Sequence, residues 1–142
     1  LFRLRRLLKD FFIEYEMYKN PDEDIAALER AMYKKYLLVD FPENEPHQFA
    51  SSIWYTSYPC YYQNYILAAM IATQMQEAMT NKFGDGKLTN PKVSQWMIKH
   101  VYASGETHEW MDRIRDATGK WLETGAYLRK LGIEMNQLIH KD

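Results

Sequence analysis

The sequence is poor in the residues that build disulfide and metal scaffolds. Its 142 residues include one cysteine, four histidines and six glycines. A single cysteine cannot form a disulfide within the chain, and it cannot supply a cysteine-rich zinc or iron–sulfur site. These shortages exclude a secreted scaffold held together by disulfides, and they exclude a cysteine-rich metal-binding domain.

The chain also lacks an excess of charge of one sign. It has 18 basic and 19 acidic residues, for a formal net charge of -1. Neither nucleic acid nor an anionic membrane would be held by such a balance alone. No apolar run approaches the roughly 18 to 20 residues that a membrane span requires. We therefore expect no nucleic-acid partner and no membrane partner.

The beginning of the chain indicates a piece of a longer protein. Leu1 already lies within an amphipathic helical pattern, and the first residues lack the apolar core and cleavage site of a signal peptide. The compartment stays open on this basis, with the cytoplasm favoured.

Composition and periodicity predict a single helical domain over residues 1–142. The chain is 46% hydrophobic and 26% charged, which is typical of a globular protein. Apolar residues from Phe2 to Tyr18 recur at three- and four-residue spacing, opposite a polar face that holds Arg3, Lys9 and Asp10. Asn20 and Pro21 resemble the start of a second helix that runs to about Leu38, so residues 1–39 form a predicted helical hairpin.

The remaining chain divides into a loop and a helical C-terminal part. Two prolines predict an irregular loop over 40–57, and loops of this length are often functional. Residues 58–142 hold a predicted central helix over 59–82, which is apolar on nearly all sides and therefore expected to be buried. Further helices are predicted from Asn90, over 107–118 and over 124–131, the last ending at Gly132. The fold class is all-α, an irregular bundle of about six helices.

The histidines do not form a recognisable metal motif. His108 and Glu109 begin like the His-Glu-x-x-His zinc motif, but Asp112 occupies the position of the second histidine. His47, His100 and His140 are isolated in sequence. We therefore predict no metal ligand in this chain. Cys60 has no neighbouring cation to activate it and is interpreted as an inert thiol.

A series of tyrosines is the feature that points to a function. Tyr58, Tyr62 and Tyr65 follow at helical spacing, which places three phenols on one face of the central helix. Aromatic residues in this pattern usually belong to a core. Buried phenols nevertheless need partners for their hydroxyls, and aligned hydroxyls can bind a peptide carbonyl, a carboxylate or an oxyanion.

The segment 58–68, Tyr-Pro-Cys-Tyr-Tyr-Gln-Asn-Tyr-Ile-Leu-Ala, resembles the substrate-binding tyrosine helix of a family of zinc peptidases. This family comprises gluzincins of the thimet oligopeptidase and oligopeptidase F type, related to angiotensin-converting enzyme. The resemblance extends over nearly the whole chain, although only the tyrosine segment is specific. The weaker matches lie at 12–14, 18–22, 33–37, 102–106, 117–120 and 127–128.

The resemblance implies a fold, and it implies that zinc binding and substrate binding lie in different parts of the parent enzyme. The fold would be the C-terminal portion of a neurolysin-like helical shell, and zinc would be bound by an upstream His-Glu-x-x-His motif. Tyr65 would stabilise the oxyanion, Tyr62 would bind the substrate backbone or its C-terminal carboxylate, and Tyr58 would match the family's third tyrosine. The partners would be a peptide substrate and the upstream catalytic half, and this chain alone would be inactive and hold no cofactor.

One departure from the family pattern leaves two alternatives open. A histidine is expected about a dozen residues before the last tyrosine, where this sequence has Ile53 and Trp54. Either His47 supplies the imidazole from a shifted loop, or the parent enzyme has lost part of its site. The competing interpretation is a noncatalytic helical module, or an inactive peptidase homologue, that binds a protein or peptide partner.

Overall fold

A computed structural model describes residues 1–42 and 44–139, with the side chains of 133–139 left aside. The described residues form eight α-helices and no strand, which confirms the all-α fold class. The helices are α1 Phe2–Lys19, α2 Ile25–Met32, α3 Gln48–Ser51, α4 Ile53–Thr56, α5 Tyr62–Phe83, α6 Pro91–Met97, α7 Trp110–Thr118 and α8 Gly125–Ile139. Two π-helical turns, Tyr33–Leu37 and Ile98–Tyr102, extend α2 and α6. His140 lies outside the described residues.

The chain forms two compact units, one comprising Leu1–Leu67 and the other beginning at Ala68. The first turns of α5 belong to the first unit and the rest of this helix to the second. No described helix combines the length and the apolar character that crossing a bilayer requires.

In the first unit, α1 packs against α2 and the π-helical turn that follows it. Ile13 is fully buried and Leu28 is buried, while the rings of Phe12 and Tyr36 stack with centroids 5.5 Å apart. The predicted pairing of the first two helical segments is therefore present.

The predicted start of the second helix at Asn20 is wrong. Residues 21–23 form a turn, and α2 begins at Ile25 with Asp24 as its N-cap. The Asp24 carboxylate accepts a hydrogen bond from the Ala27 amide at 3.0 Å, which satisfies a backbone donor of the first helical turn. Asn20 and Asp24 are both acceptable N-cap residues, and the spacing of the apolar residues does not distinguish between them.

The predicted loop over 40–57 differs from the structure in its second half. Pro42 and Pro46 lie in irregular backbone as expected, but α3 and α4 follow as two one-turn helices. The Ser52 hydroxyl caps α4 by accepting from the Trp54 amide at 3.4 Å. These two helices account for the excess over the six that were predicted.

In the second unit, α5 packs against α6 and α7 around Met75, Met79, Val93 and Trp96. The amide of Gln74, which is 4% exposed, donates to Thr118 Oγ1 at 3.0 Å and to the Trp121 carbonyl at 3.1 Å. The expectation that α5 is buried all round is wrong, because Ala68 and Ala72 are exposed.

The boundaries of the later helices follow their capping residues. Asn90 caps α6 as predicted, since its side chain accepts from the Lys92 amide at 3.0 Å. The predicted helix end at Gly132 is wrong, because α8 continues to Ile139. Glycine ends a helix mainly where it takes a left-handed conformation, as Gly119 does with φ of 77°, and Gly132 does not.

Candidate functional site

The tyrosines singled out by the sequence gather around one indole ring. The ring centroid of Trp54, on α4, lies 5.4 Å from the ring centroid of Tyr61, 5.5 Å from that of Tyr58 and 5.7 Å from that of Tyr65. Tyr62 lies 6.4 Å from the same indole. The loop that was predicted to be irregular therefore supplies the centre of the aromatic cluster.

The predicted helical register holds for Tyr62 and Tyr65 but not for Tyr58. The backbone of Cys60 has a positive φ of 57°, and α5 begins only at Tyr62, so Tyr58 lies in the preceding turn with its side chain 52% exposed. Tyr62 and Tyr65 are three residues apart on α5 and share a helix face. Two of the three predicted phenols are thus presented together.

Tyr62 and Tyr65 differ in how their hydroxyls are used. Tyr62 is 6% exposed, and its hydroxyl lies 3.3 Å from Ser52 Oγ. Tyr65 is half-buried, and its hydroxyl makes no hydrogen bond to any other residue that the structure describes. The Tyr65 phenol therefore keeps a free donor within the aromatic cluster around Trp54.

These two tyrosines line a polar cavity of ≈ 460 Å³. Its wall also contains Arg3, Arg6 and Asp10 from α1. These three residues follow at three- and four-residue spacing, so they share one face of that helix. We name this space, bounded by Tyr62, Tyr65 and the three residues of α1, the tyrosine cavity.

Arg3 was assigned to the polar face of the first helix, and sequence analysis identified neither arginine as a candidate site residue. Their spacing relative to Asp10 was the available signal. What the sequence could not show is that this face of α1 lines a cavity together with the first turn of α5. Two guanidinium groups beside phenol donors make the tyrosine cavity suited to an anionic group such as a carboxylate.

Lys9 and Asp10, which the sequence pattern places on the polar face of the first helix, are both buried. Lys9 is fully buried and Asp10 is 3% exposed, and Lys9 Nζ lies 2.7 Å from Asp10 Oδ1. The Lys9 ammonium also lies 4.2 Å from the centroid of the Tyr33 ring and donates to the Gln48 side chain. Burial raises the pKa of Asp10, and the positive charge of Lys9 opposes this shift.

The buried phenols are held in their protonated form. Burial raises the pKa of Tyr55, and the negative charge of Asp10 adds to the shift. The Tyr55 hydroxyl donates to the Asp10 carbonyl at 3.3 Å. Burial likewise raises the pKa of Tyr62, and the hydrogen bond between its hydroxyl and Ser52 opposes this shift. Phenols with raised pKa values remain hydrogen-bond donors at neutral and mildly alkaline pH.

His47 contributes to a different part of the first unit. Its Nδ1 lies 2.6 Å from Oε2 of Glu29, whose side chain is fully buried. The imidazole stacks on Phe41 and Phe49, with ring centroids 4.7 and 5.4 Å away. His47 does not line the tyrosine cavity. Its observed contacts are those of an anchor for the segment that leads into α3.

Among the side chains that the structure describes, in residues 1–42 and 44–132, no group of three or more histidine, cysteine, aspartate or glutamate residues is arranged to hold a metal ion. The described part of the chain therefore offers a cavity with phenol and guanidinium donors and no metal centre of its own.

Comparison with known protein families assigns this helical chain to one of them. Residues 13–135 match the family model described as carboxypeptidase Taq (M32) metallopeptidase. The chain belongs to this metallopeptidase family. No curated protein and no solved structure gives a significant match.

The family match confirms a metallopeptidase and revises the type. The tyrosine segment pointed to the thimet oligopeptidase and oligopeptidase F type, whereas the matching family is M32. The match supports metal dependence in the family, but the side chains described here do not fit a metal ion. No chemical step is therefore assigned to a metal on this chain.

Proposed function

We propose that this chain is the C-terminal part of a zinc-dependent peptidase and forms the substrate-binding wall of its active site. The zinc motif would lie in a region that precedes Leu1. The tyrosine cavity carries this proposal, because it brings Tyr65, Tyr62 and two arginines together in a family of metallopeptidases.

In this proposal Tyr65 acts during peptide hydrolysis. When the scissile carbonyl is attacked, negative charge develops on its oxygen, and a preorganised donor stabilises this charge. The Tyr65 hydroxyl has no competing partner among the described residues and is therefore available as that donor. The ring is held by the edge-on contact with Trp54 and by Tyr61, with centroids 5.7 and 5.5 Å away.

Tyr62 and the two arginines would bind the substrate. The matching family is named for a carboxypeptidase, which acts at a free C-terminus. Guanidinium groups pair well with a carboxylate, and a protonated phenol can donate to the same group or to the peptide backbone. Arg3 and Arg6 give the tyrosine cavity the positive charge that a C-terminal carboxylate requires.

A second candidate is an oligopeptidase that cleaves internal bonds of short peptides. The tyrosine segment 58–68 favours it, because that segment resembles the oligopeptidase type. Under this alternative the roles of Tyr62 and Tyr65 are unchanged. The exposed Tyr58 would then bind the substrate further from the scissile bond.

Replacing Arg6 by glutamine separates the two candidates in the full-length enzyme. We expect KM for a peptide with a free C-terminus to rise about tenfold, because a charge-assisted contact at an exposed guanidinium is lost. KM for the same peptide with an amidated C-terminus should not change. Initial rates and mass-spectrometric identification of the products provide the measurement.

The control for this experiment is Arg30→Gln, which removes the same charge from an exposed position on α2. It should leave KM unchanged for both peptides. Release of single C-terminal residues supports the carboxypeptidase. Internal cleavage of both peptides with equal KM in the Arg6→Gln enzyme contradicts carboxylate binding at Arg6 and favours the oligopeptidase.

A further inference from the structure

A buried carboxyl group holds the turn that precedes the tyrosine helix. Glu14 lies on α1 and is 3% exposed. One of its oxygens, Oε1, accepts a hydrogen bond from the backbone amide of Cys60. The other, Oε2, is buried and has no hydrogen-bond partner among the residues described. The carboxyl group thus links α1 to a residue 46 positions away in sequence.

Cys60 adopts a backbone conformation that a side chain disfavours. Its φ of 57° lies in the left-handed region, and the next helix starts two residues later at Tyr62. Such conformations persist where the surroundings hold them. Glu14 binds the amide of Cys60, and the Gln63 side chain donates to its carbonyl. The backbone amide and the carbonyl of Cys60 are therefore both held by hydrogen bonds to side chains.

The turn decides where the tyrosines point. Tyr62 is the first residue of α5, and Tyr65 lies one turn further along. A change in the backbone at Cys60 would rotate the start of α5 and move both phenols relative to Arg3 and Arg6.

The charges around Glu14 come from three parts of the first unit. Burial raises the pKa of Glu14, and the hydrogen bond from the Cys60 amide opposes this shift. On α1, Asp10 precedes Glu14 by one turn. Glu14 also lines a groove of ≈ 400 Å³, together with Tyr15, Tyr18 and Lys19. The remaining neighbours are the phenols of Tyr55 on α4 and Tyr62 on α5, whose pKa values the Glu14 charge helps to raise.

We propose that Glu14 is a positioning residue, which holds the Cys60 turn and thereby sets Tyr62 and Tyr65 in the tyrosine cavity. Glu14 does not line that cavity. Its effect on hydrolysis passes through the tyrosines, so this inference rests on the proposed function.

The single cysteine of the chain makes the hydrogen bond directly observable. Labelling the 142-residue chain with ¹⁵N-cysteine gives one amide signal, that of Cys60. In the wild type this amide should be protected from hydrogen exchange, and its proton shift should follow the titration of Glu14 with a midpoint above the ordinary glutamate range. Glu14→Gln keeps an acceptor oxygen, so protection should persist while the titration disappears.

Glu14→Leu keeps the volume and removes the acceptor, so protection of the Cys60 amide should fall at least tenfold. Glu16→Leu is the matched control, because Glu16 lies on the same helix and pairs with Lys19 at 3.6 Å but does not line the groove that Glu14 and Cys60 share. This control should leave the signal unchanged. Equal protection of the Cys60 amide in the wild type and in Glu14→Leu would overturn the inference.

Kinetics of the full-length enzyme test the link to the tyrosines. Glu14→Leu should lower kcat/KM at least tenfold, and Glu14→Gln should restore it to within about threefold of the wild type. In a Tyr65→Phe background, Glu14→Leu should lower kcat/KM much less than it does in the wild type, because both changes remove the same contribution of the Tyr65 hydroxyl. An unchanged cost in that background overturns the positioning role. If Tyr65→Phe itself costs nothing, the proposed function fails, and the Cys60 signal still decides whether Glu14 holds the turn.

Discussion

Replacing Tyr65 by phenylalanine is expected to lower kcat of the full-length peptidase about a hundredfold or more, with a much smaller change in KM. The substitution removes one hydroxyl and keeps the ring that packs on Trp54. Loss of a donor that acts on the oxyanion costs on the order of a hundred- to a thousandfold in turnover. An interaction made only in the transition state lowers kcat and kcat/KM together.

The control for Tyr65 is Tyr61→Phe. Tyr61 also packs on Trp54, with ring centroids 5.4 Å apart, but it does not line the tyrosine cavity. Steady-state kinetics of this variant should match the wild type. Because Tyr65 makes no hydrogen bond to other described residues, Tyr65→Phe should leave the thermal midpoint unchanged. A kcat within threefold of the wild type would show that the hydroxyl has no catalytic role.

Replacing Glu29 by leucine is expected to destabilise the first unit by about 3 kcal/mol. Glu29 is fully buried and accepts from the Gln48 amide at 2.9 Å and from His47 at 2.6 Å. Removing this carboxylate leaves a backbone donor and an imidazole without their acceptor. Because α3 follows directly, the segment that carries Ser52 and Trp54 should loosen with it.

Urea denaturation monitored by circular dichroism measures this loss. Asp40→Asn is the control, because Asp40 pairs with Lys34 at 2.8 Å but its side chain is 87% exposed. Exposed pairs contribute little, so this variant should lie within about 1 kcal/mol of the wild type. Equal stabilities of the two variants would refute the anchoring role of Glu29 and reopen a functional role for His47.

Local sequence signals predicted much of the helical fold. The spacing of apolar residues identified α1, and Asn90 identified the start of α6. The same reasoning missed α3 and α4, because one-turn helices are too short to show a periodic pattern. It also misjudged Lys9 and Asp10, whose burial depends on compensating contacts with Gln48, Tyr33 and Tyr55 that are distant in sequence.

The tyrosine cavity could be predicted only in part. The spacing of the tyrosines correctly placed Tyr62 and Tyr65 on one helix face, but the backbone at Cys60 moves Tyr58 off that face. Arg3 and Arg6 could not be assigned to the cavity, because the sequence does not show that they line it together with the first turn of α5. Eleven residues around the tyrosines indicated a zinc peptidase, whereas the match over 13–135 was needed to identify the M32 family.

The central claim is that this chain carries the substrate-binding wall of a peptidase whose metal is bound by a preceding region. The most direct measurement compares peptide hydrolysis by the 142-residue chain with hydrolysis by the polypeptide that includes the region before Leu1, each with zinc and with a chelator. We predict no hydrolysis by the chain alone, and zinc-dependent hydrolysis by the longer polypeptide. Hydrolysis by the chain alone, or none by the longer polypeptide with zinc, would contradict the claim.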